Sequence, residues 1–141
     1  MEPILIVGSG LSAADAIIAA RSRRIPVLHV FRNVTKSSKN KSEFKNQIFG
    51  KLKGLPESMY PEYHKVYEMM INETKNYPHY KSLPDHVVIE FSVGSDKYTR
   101  SKMRRVTICT PQNRLVSYRV SFAAVLIGNC FYYLYGHILK Y

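Results

Sequence analysis

The sequence predicts an α/β fold built on a parallel sheet, and three stretches near its start carry that reading. Residues 3–8, Pro-Ile-Leu-Ile-Val-Gly, are an unbroken apolar run closed by glycine, as suits a strand buried on both faces. Residues 11–23 then read as a helix: Ala13, Ala14, Ala16, Ala19 and Ala20 favour it, and Ile17 and Ile18 supply core contact. Arg21, Arg23 and Arg24 load its C-terminal end with cations, in accord with the helix dipole. Residues 25–31, Ile-Pro-Val-Leu-His-Val-Phe, make a second strand with proline tolerated at its start. Strand, helix and strand within about thirty residues form a βαβ unit, and its two strands must run parallel.

The pattern then loosens. Residues 33–42 are polar, basic and serine-rich and read as a loop. Residues 43–53 suit a short helix ended by Gly54 and Pro56. Pro61 suits the first turn of a helix running to Asn72, with Tyr63, Val66, Tyr67 and Met70 on one face. Residues 77–84 read as a turn-rich linker, and residues 86–93 as a β-branched strand. Residues 106–110 and 115–120 suggest a hairpin around Pro111-Gln-Asn-Arg114, and residues 122–128 a last apolar strand.

With 141 residues, 45% of them hydrophobic and 22% charged, the chain has the size and composition of one ordinary domain. Cys109 and Cys130 have neither disulfide-framework density nor zinc-site spacing, so both are expected as free thiols and no metal is expected. The first strand starts almost at Met1, which leaves no room for a signal peptide; a cytoplasmic location is expected, with the three Asn-x-Ser/Thr sequons unused. A formal net charge of +11 calls for an anionic partner, or for acids elsewhere in a longer polypeptide. The cations are densest over residues 21–53, where Glu43 is the only acid, and over Lys97, Arg100, Lys102, Arg104 and Arg105. Residues 121–139 carry no formal charge, nearly enough to span a bilayer. Asn129, His137 and two internal glycines argue against that, and no membrane partner is expected.

Gly8-Ser9-Gly10-Leu11-Ser12-Ala13 is the segment that carries chemistry. Gly8 permits a tight turn out of the strand, and Gly10 lacks the Cβ that would keep a pyrophosphate away. Ala13 takes the third position, where a small residue lets helix and sheet pack closely. Amides at the helix N-terminus, with the helix dipole, would hold the phosphates. Alone this pattern is common; between a strand and a helix inside a βαβ unit it specifies a dinucleotide. At the end of the second strand, where an NAD site places an acid for the ribose 2′-hydroxyl, stands Arg32. Its guanidinium fork suits a 2′-phosphate, so NADPH is the expected dinucleotide, with Lys36, Lys39 and Lys41 adding diffuse attraction. Neither Ser9 nor Ser12 sits in a nucleophile elbow, and no catalytic acid, base or nucleophile can be named.

The run Ile4-Leu-Ile-Val-Gly-Ser-Gly-Leu-Ser-Ala-Ala-Asp-Ala16, then His29-Val-Phe-Arg32, then Met59-Tyr-Pro-Glu-Tyr-His-Lys-Val-Tyr-Glu-Met-Met70 resembles the oxidative stress-induced growth inhibitor family. That family is similar to flavin-dependent, NADPH-using monooxygenases such as the ornithine and lysine N-hydroxylases. The resemblance covers residues 3–128. It implies a three-layer Rossmann-type FAD/NAD(P)-binding fold with a parallel sheet and a β-meander crossover, here incomplete. Residues 1–128 would be its NAD(P)H-binding domain, and residues 129–141 a hydrophobic C-terminal tail unrelated to it. FAD would be bound mainly by a region of the polypeptide that this chain lacks.

The function implied is the NADPH-binding portion of an oxidoreductase that passes hydride to FAD, in a family linked to growth inhibition and oxidative stress. Cofactor contacts would come from Gly8, Ser9, Gly10, Leu11, Ser12, Ala13 and Arg32. The rival reading is a non-enzymatic regulator of growth, differentiation or division that keeps a nucleotide-binding fold. A weaker third, nucleic-acid binding through the basic loop, is not expected. Tyr60, Tyr63, His64 and Tyr67 either line a flavin- or substrate-facing surface or, more commonly at helical spacing, pack in the core. His29, within an apolar strand, is expected as a core histidine with its hydrogen bonds satisfied.

Overall fold

The computed structural model describes residues 1–32, 52, 54–72, 75–127 and 130–133. In chain order it contains β1 (Ile4–Val7), α1 (Leu11–Ser22), β2 (Val27–Phe31), α2 (Pro61–Ile71), β3 (Tyr80–Pro84), β4 (Val87–Ser95), β5 (Lys102–Cys109), β6 (Leu115–Arg119), β7 (Phe122–Ile127) and β8 (Cys130–Tyr133). Among the described residues one sheet has the strand order β3-β2-β1-β7-β8, and a second has the order β4-β5-β6. β1 lies at the centre of the first, parallel to β2 on one side and to β7 on the other. β3 extends the parallel array beyond β2, and β8 closes the other edge antiparallel to β7.

Alternate side chains of the central strands face opposite ways, as the two-residue pleat requires. Ile6, Val27 and Phe31 pack under the helices, against Ala13, Ala14, Ile17 and Ala20 of α1 and Val66, Met69 and Met70 of α2. Leu5, Leu28 and Val30 point to the other face, where Val106 and Ile108 of β5 cover them together with Leu83, Val120 and Ala123. The parallel sheet is therefore enclosed on both faces, which explains why β1 and β2 are apolar runs rather than alternating ones. Ile17 is completely buried; covering a side chain of that size contributes about 1.5–3 kcal/mol.

Helix α1 ends in a Schellman arrangement: the Ile25 amide donates to the Ala20 carbonyl at 2.9 Å and the Arg24 amide to that of Arg21 at 3.0 Å. Arg24 takes the left-handed position there, φ +56°, without help from glycine. The half-buried Ile25 that follows packs onto the helical side of the core, which anchors the turn into β2.

Two expectations are corrected. Residues 77–84 are not only a linker, because Tyr80–Pro84 is a parallel edge strand paired with Val27–Phe31. Lys81 and Ser82 give it little intrinsic β character; its order comes from pairing with β2, and Pro84 is tolerated at a strand end on the sheet edge. The antiparallel sheet is longer than expected, since β5 begins at Lys102 and pairs with β4 as far as Ser95. Its charged start is held by cross-strand backbone bonds rather than by apolar burial. Beyond β7, the backbone of β8 pairs Cys130 with Ile127 and Tyr133 with Ala124. β7 would otherwise end the sheet with an open row of amides and carbonyls.

Of the helix expected at 43–53 only Leu52 is described, buried in the helical side of the core. The loop at 33–42 with Lys36, Lys39 and Lys41 lies outside the described residues, as does 134–141. No helix among the described residues is long and apolar enough to cross a membrane.

Candidate functional site

The parallel strands β1, β2, β3 and β7 all run toward one edge, where the sequence places its glycine turn. β1 stops at Val7, and Gly8 leaves it with φ +137°, a backbone conformation that side chains oppose. Its amide donates to the Val30 carbonyl at 3.0 Å. A Cβ on Gly8 would stand 2.3 Å from the carbonyl oxygen of Leu126 on β7. Glycine at position 8 is therefore demanded by the fold itself, whatever binds.

Gly10 is different. Its φ of −84° and ψ of −174° are open to any residue, and it is the N-cap of α1. A Cβ there would meet nothing within 4 Å among the described residues. Their packing gives no reason for glycine at this position, and it leaves room for a group approaching the helix end. The N-cap residue there makes no side-chain hydrogen bond, and the first turn of α1 holds no acid. The amides of Leu11, Ser12 and Ala13 open the helix, and helices leave such donors without intrahelical partners. The cradle can accept an anionic group with several oxygens.

The other expected residues are placed as follows. Ala13 is 1% exposed and packs beneath the helix, filling the position where a larger side chain would push α1 from the sheet. Leu11 packs against the helical side of the core, while Ser9 and Ser12 are half-buried. Arg32 is exposed immediately after β2. Val7 is level with Val30, so Arg32 stands at the same sheet edge as the glycine turn, one strand away.

Beneath the turn lies a group that sequence reasoning placed only in the core. His29 of β2 is fully buried. Its Nε2 is 2.5 Å from the Gly8 carbonyl oxygen, and its Nδ1 is 2.8 Å from the Tyr80 hydroxyl. A carbonyl only accepts, so Nε2 carries the proton and donates; Nδ1 then accepts from the tyrosine. Burial pulls the His29 pKa down to about 4, against the opposing effect of the Gly8 hydrogen bond, and the ring is neutral near pH 7. Burial likewise pushes the Tyr80 hydroxyl well above its ordinary range, so it stays a donor. Tyr80 escaped sequence reasoning because it lies in the stretch read as a linker.

The aromatic stretch of α2 divides between two roles. Tyr63 and Tyr67 pack against the helical side of the core. The Tyr63 hydroxyl also donates to Asp15 Oδ1 at 2.6 Å, tying α2 to α1, and that hydrogen bond pushes its pKa up. His64 Nε2 donates to the Leu55 carbonyl and anchors the segment leading into α2. Tyr60 and Met59 remain exposed. The half-buried Cys109 thiol lies 3.6 Å from the Thr110 carbonyl. Among the described residues no three His, Cys, Asp or Glu side chains are grouped to hold a metal ion.

No family model matches the chain. It is 39% identical over 135 residues to human oxidative stress-induced growth inhibitor 2, an alignment covering 92% of this chain and 23% of that protein. The chain is similar to a segment of the growth inhibitors. Human growth inhibitor 1 is 40% identical over 94 residues, 64% of this chain and 18% of that protein. The Caenorhabditis elegans growth inhibitor homologue osgn-1 is 32% identical over 131 residues, 91% of this chain and 24% of that protein. This similarity supports the family that the motifs suggested. The chain spans about a quarter or less of the length of these growth inhibitors. Among solved structures, the flavin-dependent monooxygenase PieE in complex with FAD and substrate aligns with 86% of this chain and 29% of its own, at 12% identity and a TM-score of 0.47.

Proposed function

We propose that this chain is the NADPH-binding portion of a flavin-dependent, monooxygenase-like oxidoreductase of the growth inhibitor family. The observation that carries the reading is Gly10: a glycine that none of the described residues requires, at the start of a helix whose N-cap makes no side-chain bond, following a central parallel strand. Gly8 shapes the turn, the amides of Ser9, Leu11, Ser12 and Ala13 surround the pyrophosphate, and Arg32 pairs with the 2′-phosphate. A three-layer Rossmann-type FAD/NAD(P)-binding fold agrees with helices on one face of the parallel sheet and an antiparallel meander on the other. When bound, NADPH supplies hydride and FAD accepts it. In this reading FAD is held mainly by a region of the polypeptide outside this chain, and the protein is cytoplasmic.

The residues present do three things toward that chemistry. They bind the phosphates through backbone donors, they select the 2′-phosphate through Arg32, and they keep acids out of the first turn of α1. Calorimetric titration of the purified chain with NADPH and NADH tests the assignment. Binding of NADPH in preference to NADH is expected, and binding of neither overturns it.

The names of the relatives favour a second reading, a regulator of cell growth that keeps the nucleotide site for folding or sensing. The full-length protein supplied with FAD separates the two: NADPH oxidation supports the enzyme, and saturable binding without turnover the regulator.

A further inference from the structure

We infer that His29, braced by the Tyr80 hydroxyl on its other ring nitrogen, is a positioning residue for the glycine turn: it draws the Gly8 carbonyl into the core and so aims the Ser9 amide outward as a phosphate donor. This rests on the dinucleotide reading above and extends it to residues that no phosphate would touch.

The argument starts from the peptide plane. No cis peptide bond occurs among the described residues, so the bond joining Gly8 to Ser9 is trans. In a planar trans peptide the C=O and the following N–H point in opposite directions. The Gly8 carbonyl is turned inward, onto Nε2 of the buried imidazole. The Ser9 amide therefore points away from the core, at the turn that leads to the helix start. Gly8, with no Cβ, leaves this peptide free to rotate. Rotated by half a turn, it would show an anion its carbonyl oxygen instead of its N–H, exchanging attraction for repulsion. The imidazole opposes that rotation, because a buried donor left without its acceptor is costly.

Tyr80 braces the imidazole from its other side. With the proton on Nδ1, the Nε2 lone pair would face the Gly8 oxygen and push the peptide away. The Gly8 carbonyl, which can only accept, therefore sets the proton on Nε2, and the tyrosine hydroxyl, 2.8 Å from Nδ1, donates to the lone pair this leaves and holds the ring in place. Tyr80 can do this because β3 lies beside β2 with Tyr80 level with Val27, which brings its side chain to His29 on the helical face of the sheet. The edge strand that completes the sheet thus also braces a residue under the turn.

The test compares the wild-type chain with His29→Leu, His29→Gln and Tyr80→Phe. Titrations with NADPH and with inorganic pyrophosphate are made at a temperature where thermal melting shows each variant folded. In His29→Gln the amide nitrogen can donate to Gly8 and the amide oxygen can accept from Tyr80. The expected result is a loss of affinity of roughly ten- to a hundredfold in His29→Leu, the scale of one hydrogen bond to a charged group. Tyr80→Phe should lose affinity in the same direction, and His29→Gln should recover most of the wild-type value. Nitrogen-15 spectra of the wild type should show a protonated Nε2 and an unprotonated Nδ1. A reversed tautomer overturns the inference, and so does wild-type affinity in both His29→Leu and Tyr80→Phe. Should His29→Leu fail to fold, Tyr80→Phe with the spectrum decides, since it leaves the ring packing in place. Absence of binding by the wild-type chain overturns the dinucleotide reading and this inference together, whereas unchanged variants beside a binding wild type overturn this inference alone.

Discussion

The carbonyl oxygen of Leu126 stands 2.3 Å from the point that a Cβ of Gly8 would occupy. Two strands are thereby brought as close as backbone allows at the place where the chain turns out of β1. Gly8→Ala must displace either β7 or the turn, and it must also hold a side chain at φ +137°. The backbone conformation alone costs about 1–3 kcal/mol. Urea unfolding is expected to show a lower midpoint at constant slope, with a loss of at least about 2 kcal/mol.

Gly10→Val should behave in the opposite way. The backbone there suits valine and no described atom lies within 4 Å of the Cβ position, so stability should fall only through the poorer N-cap, by about 1 kcal/mol. The side chain would fill the space assigned to the pyrophosphate, and calorimetric titration should find NADPH binding abolished. Wild-type affinity in this variant would remove the phosphate assignment.

Arg32→Ala probes nucleotide selection. The exposed guanidinium after β2 is proposed to pair with the 2′-phosphate, which NADH lacks. The variant should bind NADPH more weakly by about 1.5–3 kcal/mol, the range for hydrogen bonds to a charged group, with NADH little affected. Equal losses for both nucleotides would show that Arg32 does not read that phosphate.

His29 makes stability depend on pH. Its folded-state pKa of about 4 lies below the unfolded value of 6.5, so between them the unfolded chain binds more protons. Stability from this residue is complete above pH ~6.5 and falls as the pH drops toward ~4, by roughly 3 kcal/mol in all. Comparing wild type with His29→Gln across that window isolates the effect, because the glutamine variant lacks this slope while keeping every other titrating group. Parallel profiles would show that His29 is not buried as a neutral ring.

The chain by itself should not oxidise NADPH when FAD is supplied. Its sequence holds a single glycine-rich strand–turn–helix, Gly8-Ser9-Gly10, and a two-dinucleotide flavoenzyme needs two. Hydride transfer also needs the nicotinamide held against the flavin at close range. Absorbance at the reduced-nicotinamide band, followed against a protein-free control, should show no excess loss. Turnover with retained FAD would overturn the reading of this chain as one portion of the enzyme.

Local chemistry made much of this legible in the sequence. The apolar runs of β1 and β2, the alanines of α1 and the glycines between them act within a few residues, so their order alone specifies a βαβ unit with a parallel pair. Pro61 marked the start of α2, and the β-branched residues of β4 and β5 announced strands. The candidate phosphate turn was readable for the same reason, since its components are adjacent in the chain. What the sequence left open depends on partners far away in it. β3 and β8 are ordered by pairing with β2 and β7, not by their own propensities. The bond between His29 and Tyr80 spans 51 residues, and no local pattern signals it. The motif already suggested separate roles for the two glycines, but how strictly each position needs glycine is decided in three dimensions. Gly8 is held to glycine by the Leu126 backbone of a strand more than a hundred residues later, whereas no described residue comes within 4 Å of a Cβ at Gly10, because close approach is decided by which strands the sheet sets side by side.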